Sequence, residues 1–462
     1  MKKFAKFGVI VMIAALVCVA LPAQAQGGST TFNRVDEGTD WGFVTAKLIV
    51  DLQAEVAQGS VDTESFSVYV QRSDPRLEES LIEEGYVTIV DAYISDAAGT
   101  PVESGSFATL VPEIGPEISI SSALNYGPSA DDPDRMYNDW TENVYTITQE
   151  KAIGAVEGLV ATEMGEYSRL LVDEFEFAQA SYEDEEFGLI EMSYATYTPA
   201  DDEVHPLIVW LHGGGEGGTD ASIPVAANKA AVFASEDVQA MFGGAYVLVP
   251  QSPSMWLDDG TEDRANFTIL SKYTRAVQDL VETYVAANPN IDTNRIYVGG
   301  PSNGGFLTVR IIADNPDYYA AAVPVCEAID DSAIPDEALA ELVDLPIWLV
   351  TSAKDGLAPH TYAVKLYDRL RQMDAPDVNV SVLPRVIDES GLYKTEDGMP
   401  YEYNGHWSWI YVYNNHLSKL VSDEGYVIGW LYGDVTQYNE DIAQIIDGDV
   451  ISILEWLASQ SK

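Results

Sequence analysis

The amino-acid sequence predicts an all-β sandwich over residues 30–172, followed over residues 173–462 by a mostly parallel sheet with helices on both faces. Three observations carry that expectation. A length of 462 residues suits two cores better than one. The first third alternates apolar and polar residues between turn signals, while the remainder alternates unbroken apolar runs with helical periods.

The first 25 residues stand apart from both units. Met1-Lys-Lys-Phe-Ala-Lys is basic, Phe7 to Leu21 is apolar, and Pro22-Ala-Gln-Ala25 offers a small-x-small cleavage site. This is the pattern of a secretory signal peptide, shorter than the roughly 20 apolar residues that span a bilayer. Export to the extracellular space, or to the periplasm of a Gram-negative cell, is expected, with no membrane attachment after cleavage near Ala25. Removal of Cys18 with the leader leaves Cys326 as the lone cysteine, so no intramolecular disulfide is expected.

In the front unit, Val44-Thr-Ala-Lys-Leu-Ile-Val-Asp, Ser65-Phe-Ser-Val-Tyr-Val, Tyr86-Val-Thr-Ile-Val-Asp-Ala-Tyr and Asn143-Val-Tyr-Thr-Ile-Thr have the period-two pattern of antiparallel strands. About seven such strands make a sandwich. Residues Pro128 to Asn138 are rich in Asp and read as a surface loop. They lack the alternating spacing and terminal Glu of a calcium loop, so solvation is the simpler reading.

After Val172 the pattern changes. Phe187 to Pro199 reads as a long entering strand, and Leu207-Ile-Val-Trp-Leu and Tyr246-Val-Leu-Val-Pro read as strands buried on both faces. Tyr273, Val277, Leu280, Val281, Tyr284 and Val285 form one apolar helical stripe. Further strands are expected at Arg295 to Gly299, Ala321 to Val325, Pro346 to Val350 and Val378 to Leu383. In such folds the site lies beyond the carboxyl ends of the strands.

The chemistry-bearing residues fall at those ends. Gly300-Pro-Ser-Asn-Gly304 follows a strand and precedes a helix, the context of a nucleophile elbow that holds the Ser302 hydroxyl proud of the sheet. Pro301 is unusual there, since it fixes φ and removes a donor. The elbow's oxyanion donor would come from Asn303, one residue later, so the loss is harmless. His212-Gly-Gly-Gly-Glu-Gly-Gly follows another strand, and its amides around Gly214 and Gly215 are candidate oxyanion-hole donors together with Asn303. The loop lacks the Gly-Lys-Ser/Thr ending of a phosphate loop, and His212 is expected to brace it.

Chain order in this arrangement is serine, then acid, then histidine. Asp355 follows the strand ending at Val350, whereas Asp344 precedes that strand and Asp368 lies on the next helix. Of the histidines beyond Asp355, His360 is too close to it and His416 lies further down a helix. His406, after an Asn-Gly turn, is the expected base. It would take the Ser302 proton while Asp355 orients it and stabilises the imidazolium. Trp256 and Trp407 are candidates for lining a substrate pocket. Trp409 is a weaker one.

From Asp40-Trp-Gly onward the chain resembles secreted bacterial esterases that carry an N-terminal immunoglobulin-like domain on an α/β-hydrolase, close to the prolyl-oligopeptidase-like and polyhydroxybutyrate-depolymerase-like groups. The resemblance rests on Trp210-Leu-His-Gly-Gly-Gly-Glu-Gly-Gly, Ala226-Ala-Asn-Lys, Gly243-Gly-Ala-Tyr-Val-Leu-Val-Pro-Gln, Ile291-Asp-Thr-Asn-Arg-Ile-Tyr-Val-Gly-Gly, Ser302-Asn-Gly-Gly, Pro324-Val-Cys-Glu-Ala and Tyr403-Asn-Gly-His-Trp-Ser-Trp. It implies Ser302 as nucleophile, His406 as base and Asp355 as acid in a carboxylic-ester hydrolase acting on short acyl, aryl or polyester substrates. The chain departs from the family pattern at Pro301 and in the acid loop Ala353-Lys-Asp-Gly, which is one residue shorter. A serine peptidase is the alternative, although the front unit is too short and too regular for a gating propeller. Such hydrolysis calls for no cofactor and no metal.

The formal net charge is −50, and it becomes more negative still when Lys2, Lys3 and Lys6 leave with the leader. The carboxylates are spread throughout rather than gathered in a tail. Such a surface repels nucleic acid and anionic lipid, so the expected partner is a small or polymeric ester.

Overall fold

A computed structural model describes residues 28–128, 135–261, 270–422, 427–432 and 448–462. The expected leader and the middle of the 128–138 stretch lie outside the described residues. Among the described residues no helix is long and apolar enough to cross a membrane.

The front unit is built from β1 (Ser29–Thr39), β2 (Gly42–Ala57), β3 (Phe66–Ser73), β4 (Leu81–Val87), β5 (Ile89–Ser95), β6 (Ser104–Pro112), β7 (Leu124–Pro128), β8 (Met136–Trp140), β9 (Glu142–Gln149) and β10 (Val160–Arg169). Eight of them hydrogen-bond in the order β4-β3-β9-β10-β1-β2-β6-β5. The two end strands are consecutive in sequence, and Phe32, Leu48, Val68, Ile94, Leu110 and Ile147 share one core, so the layer curls on itself. Alternation decides which face is buried: along β3 the pattern is buried at Phe66, Val68 and Val70 and partly exposed between.

At its described ends the Pro128 to Asn138 stretch is strand rather than loop. The described parts of this stretch end β7 and begin β8, which pair antiparallel from Leu124 against Trp140 to Pro128 against Met136. The Asp-rich composition hid a hairpin whose stems are Leu-Asn-Tyr-Gly and Met-Tyr-Asn-Asp-Trp, and it packs against the second unit.

That unit is an eight-stranded sheet in the order β11-β12-β14-β13-β15-β16-β17-β18. The strands are β11 (Glu176–Asp184), β12 (Gly188–Tyr197), β13 (His205–Trp210), β14 (Tyr246–Gln251), β15 (Ile291–Pro301), β16 (Ala321–Val325), β17 (Ile347–Ser352) and β18 (Val378–Leu383). From β14 onward every pairing is parallel. The β11–β12 hairpin is antiparallel at the edge, and β11 was not anticipated because it is mostly exposed, with only Ala180 and Tyr182 packing on the core. β13, β14, β16 and β17 are buried at every position, as helices on both faces require.

The helices are α1 (Ser222–Ala226), α2 (Glu236–Phe242), α3 (Thr274–Ala287), α4 (Asn303–Asp314), α5 (Asp336–Ala340), α6 (Thr361–Gln372), α7 (Trp409–Tyr413) and α8 (Ile453–Ala458). A small sheet of β19 (Leu417–Ser422), β20 (Val427–Tyr432) and β21 (Gly448–Ser452) follows α7. His416 therefore lies in the turn before β19 rather than down a helix, and its imidazole pairs with Glu389 at 2.7 Å. Phe43, Ala123, Leu124 and Val172 join Trp210, Phe233 and Tyr413 in a single apolar cluster that the two units share.

Candidate active site

The site begins at the end of β15, in the middle of the sheet. Ser302 has φ 55° and ψ −111°, a left-handed conformation for a residue with a Cβ, and α4 starts at the next position. A strained backbone of this kind costs about 1–3 kcal/mol and persists where surrounding structure enforces it. Here the Ser302 amide donates to Val325 O at 2.8 Å and the Cys326 amide to Val350 O at 2.7 Å, lacing the ends of β15, β16 and β17. The flanking glycines serve close approach. A Cβ on Gly300 or Gly304 would run into the Leu211 carbonyl at the end of β13.

Asp355 sits in the turn after β17. Its Oδ1 accepts from the amides of Leu357 at 2.8 Å and Ala358 at 2.9 Å, which leaves Oδ2 to accept from His406 Nδ1 at 2.8 Å. Its side chain is fully buried. The His406 loop is fixed by Asn404 Oδ1, which accepts from the His406 amide at 3.0 Å, and by Trp409, whose ring stands edge-on to the imidazole at 5.5 Å. A Cβ on Gly405 would strike the Lys354 carbonyl, and Lys354 Nζ pairs with Glu402 at 2.6 Å. The acid loop and the base loop are thus clasped together. Among the described residues the Ser302 hydroxyl makes no side-chain hydrogen bond, and catalytic hydrogen bonds of this kind often tighten only when substrate binds.

The glycine loop after β13 is a short 3-10 turn, Gly214–Glu216. Among the described residues none of the amides of Gly214, Gly215 and Asn303 donates to a backbone carbonyl. A Cβ on Gly214 would lie 3.9 Å from Asn303 Cβ, so the loop and the start of α4 face each other. His212 donates from Nδ1 to Gly213 O at 2.6 Å and accepts at Nε2 from the Ser252 amide at 3.1 Å. Burial pushes its pKa down to about 4, so it stays neutral and braces the turn.

Trp256 does not line a pocket. It is fully buried, its amide donates to Asn303 Oδ1 at 2.6 Å, and its indole donates to His212 O at 3.0 Å. The ring ties the glycine loop to the start of α4, because a Trp after a Ser-Met turn can satisfy its indole N–H on a backbone carbonyl as well as face a ligand. Trp407 is half-buried next to His406, in ring contact with Tyr403 and Trp409.

Several polar groups here were not singled out from sequence. Glu216 is buried, and desolvation pushes its carboxyl up to about 7, against the pull of Asn138, Gly213 and Asn228. A charged residue inside a run of glycines was the available signal. Glu327, beside α4, is pushed up to about 8 by burial, with the Asp355 and Asp331 charges adding to the rise. Cys326, with a left-handed φ of 37°, has its thiol within 4.8 Å of the nearest ligand atoms of Asp355 and His406. Burial holds that thiol well above its usual range, and His406 turns Nδ1 to Asp355, so the trio is poorly suited to a metal.

Residues 32–162 match the esterase Ig-like N-terminal domain family, and residues 192–390 match the phospholipase/carboxylesterase family. The fold is that of an α/β-hydrolase preceded by an immunoglobulin-like domain. The chain is 30% identical over 128 residues to poly(3-hydroxyalkanoate) depolymerase C of Paucimonas lemoignei, an alignment covering 26% of this chain and 27% of that protein. It thus spans about a quarter of that relative's length. It is also similar to a solved structure described as a thermostable esterase, with a TM-score of 0.69 and 23% identity over 94% of this chain and all of that one. At that identity the likeness speaks for the fold, front domain included.

Proposed function

We propose that the protein is an exported serine carboxylesterase. Ser302 attacks the ester carbonyl while His406 takes its proton, and the amides of Gly214, Gly215 and Asn303 receive the oxyanion. His406 then protonates the departing alcohol, leaving an acyl group on Ser302. Water, deprotonated by the same imidazole, releases the acid and restores the serine. Short acyl, aryl or polyester-type esters are the substrate class.

The observation that carries this reading is the orientation of His406. Asp355 spends one oxygen on two backbone amides and the other on Nδ1, which fixes the tautomer and leaves Nε2 as the basic nitrogen. The strained Ser302 at the end of β15, two strands from the β17 that carries Asp355, supplies the nucleophile.

Ser302→Ala should lower p-nitrophenyl acetate turnover by about 10⁴-fold or more and abolish labelling by a fluorophosphonate. Full labelling of the variant would refute the nucleophile. A panel of p-nitrophenyl esters of rising length, a feruloyl ester and a prolyl amide sets the substrate class, and preference for the amide would replace esterase by peptidase. Mass spectrometry of protein recovered outside the cell should find a new N-terminus close to Gln26.

A further inference from the structure

The front domain touches the glycine loop with specific polar chemistry. From β8, Asn138 Nδ2 donates to Glu216 Oε1 at 3.0 Å and lies 3.4 Å from Gly215 O. From β7, the Tyr126 ring lies 3.0 Å from where a Cβ on Gly215 would stand, and Tyr137 would meet one on Gly217 at 2.8 Å. Trp140 closes the same contact by donating from Nε1 to Ser222 Oγ at 2.9 Å. Glu216 itself is tucked under the loop, its Oε2 2.8 Å from the Cβ position of Gly213.

A loop of glycines has more backbone freedom than any other sequence, yet an oxyanion hole works only if its donors are already aimed. Something outside the glycines must hold them. We propose that Asn138 and Glu216 form a cross-domain strut that positions the Gly214 and Gly215 amides, so that the front domain completes the oxyanion hole of the hydrolase domain. Both are positioning residues, since they act on the reacting atoms only through the loop. The proposal rests on the serine-esterase reading and adds to it the device that aims the donors. Glu216 is buried and, among the described residues, pairs with no Lys or Arg, so its hydrogen bond to Asn138 is a geometric tie rather than an ion pair.

The test uses the full-length protein. Asn138→Ala should reduce kcat for p-nitrophenyl acetate by about 10- to 100-fold with KM little changed, because a misaimed donor loses transition-state contacts and spares ground-state binding. Affinity for a boronic acid that mimics the tetrahedral intermediate should fall in parallel with kcat. Glu216→Ala should match Asn138→Ala, the double variant should fall no further than either, and Glu216→Gln, which keeps an acceptor for Asn138, should restore most of kcat.

Wild-type kcat in Asn138→Ala, or additive losses in the double variant, would overturn the strut. If Glu216→Ala does not fold, Asn138→Ala and Asn138→Ser, on a half-exposed position, still decide the matter. A wild-type protein that neither turns over esters nor is labelled at Ser302 would instead overturn the underlying reading.

Discussion

In the front domain Asp36 and Asp74, both fully buried, face guanidiniums, Arg34 at 2.6 Å and Arg76 at 2.7 Å. Beyond the strand ends of the catalytic sheet, Glu216 and Glu327 are just as buried, yet among the described residues neither has a Lys or Arg in ion-pair reach. The front domain uses burial of charge to fix a structure: Arg34 also donates to Thr45 and lies over the Tyr145 and Tyr167 rings, so one side chain ties β1 to β2, β9 and β10. At the catalytic end Glu216 and Glu327 are held without such a partner, and burial pushes their carboxyls up to about 7 and about 8. The contrast separates a charge kept for architecture from carboxyls kept beside chemistry.

The largest effect should come from Asp355, whose hydrogen-bond partner His406 becomes cationic when it takes a proton. Asp355→Asn should lower kcat by about 10⁴-fold, because the amide can hold His406 in the wrong tautomer. Ester assays beside a thermal melt would show this, and a loss below tenfold would remove Asp355 from the role of orienting acid.

Next, Arg34→Ala strands Asp36 in the front core and should cost about 3–5 kcal/mol of stability in denaturant unfolding. The turnover of the protein that stays folded should be unchanged. A fall in kcat with intact stability would blur the distinction between the two regions.

Glu327→Gln sharpens it with pH. The carboxyl rises from 4.5 to about 8 on folding, so the folded state holds its proton more tightly. Its stabilising contribution is complete below pH 4.5, drains as pH rises toward 8, and is gone above that. The Gln variant does not titrate, so it should gain on the order of 5 kcal/mol over wild type between pH 4 and pH 9. Thermal melts at both ends of that range provide the check, and parallel curves would show that Glu327 is not the group responsible. Glu216 drains in the same direction over a narrower window, up to about 7.

The smallest effect is expected at Trp407, where Ala should change KM for aryl esters by about two- to tenfold with little effect on kcat for acetate, if the ring meets the substrate. Equal KM values across the ester panel would make it a packing residue like Trp256.

What could be read in advance follows a physical divide. β13, β14, β16 and β17 are apolar throughout because helices cover both faces, and a strand–glycine–serine–helix transition is a local pattern, so the sheet and Ser302 were visible in the residues. Asp355 and His406 were reachable because chain order and strand ends restrict the candidates. The bond between them, at 2.8 Å across 51 residues, is a tertiary fact. The hairpin of β7 and β8 was hidden because it buries its stems against another domain rather than its own core. For the same reason no periodicity connects Asn138 with Glu216, and Trp256 could not be told from a ligand-facing tryptophan without knowing where its indole N–H goes.

The clasp between Gly405 and Lys354 also bears on how this protein can vary. A side chain at position 405 would push the base loop off the acid loop, so nearly every codon change there should yield a folded protein with little turnover. A library built to alter substrate range should treat Gly405 as closed and spend its diversity on Trp407 and Tyr126, the aromatic residues beside His406 and Gly215 that still have exposed surface to change.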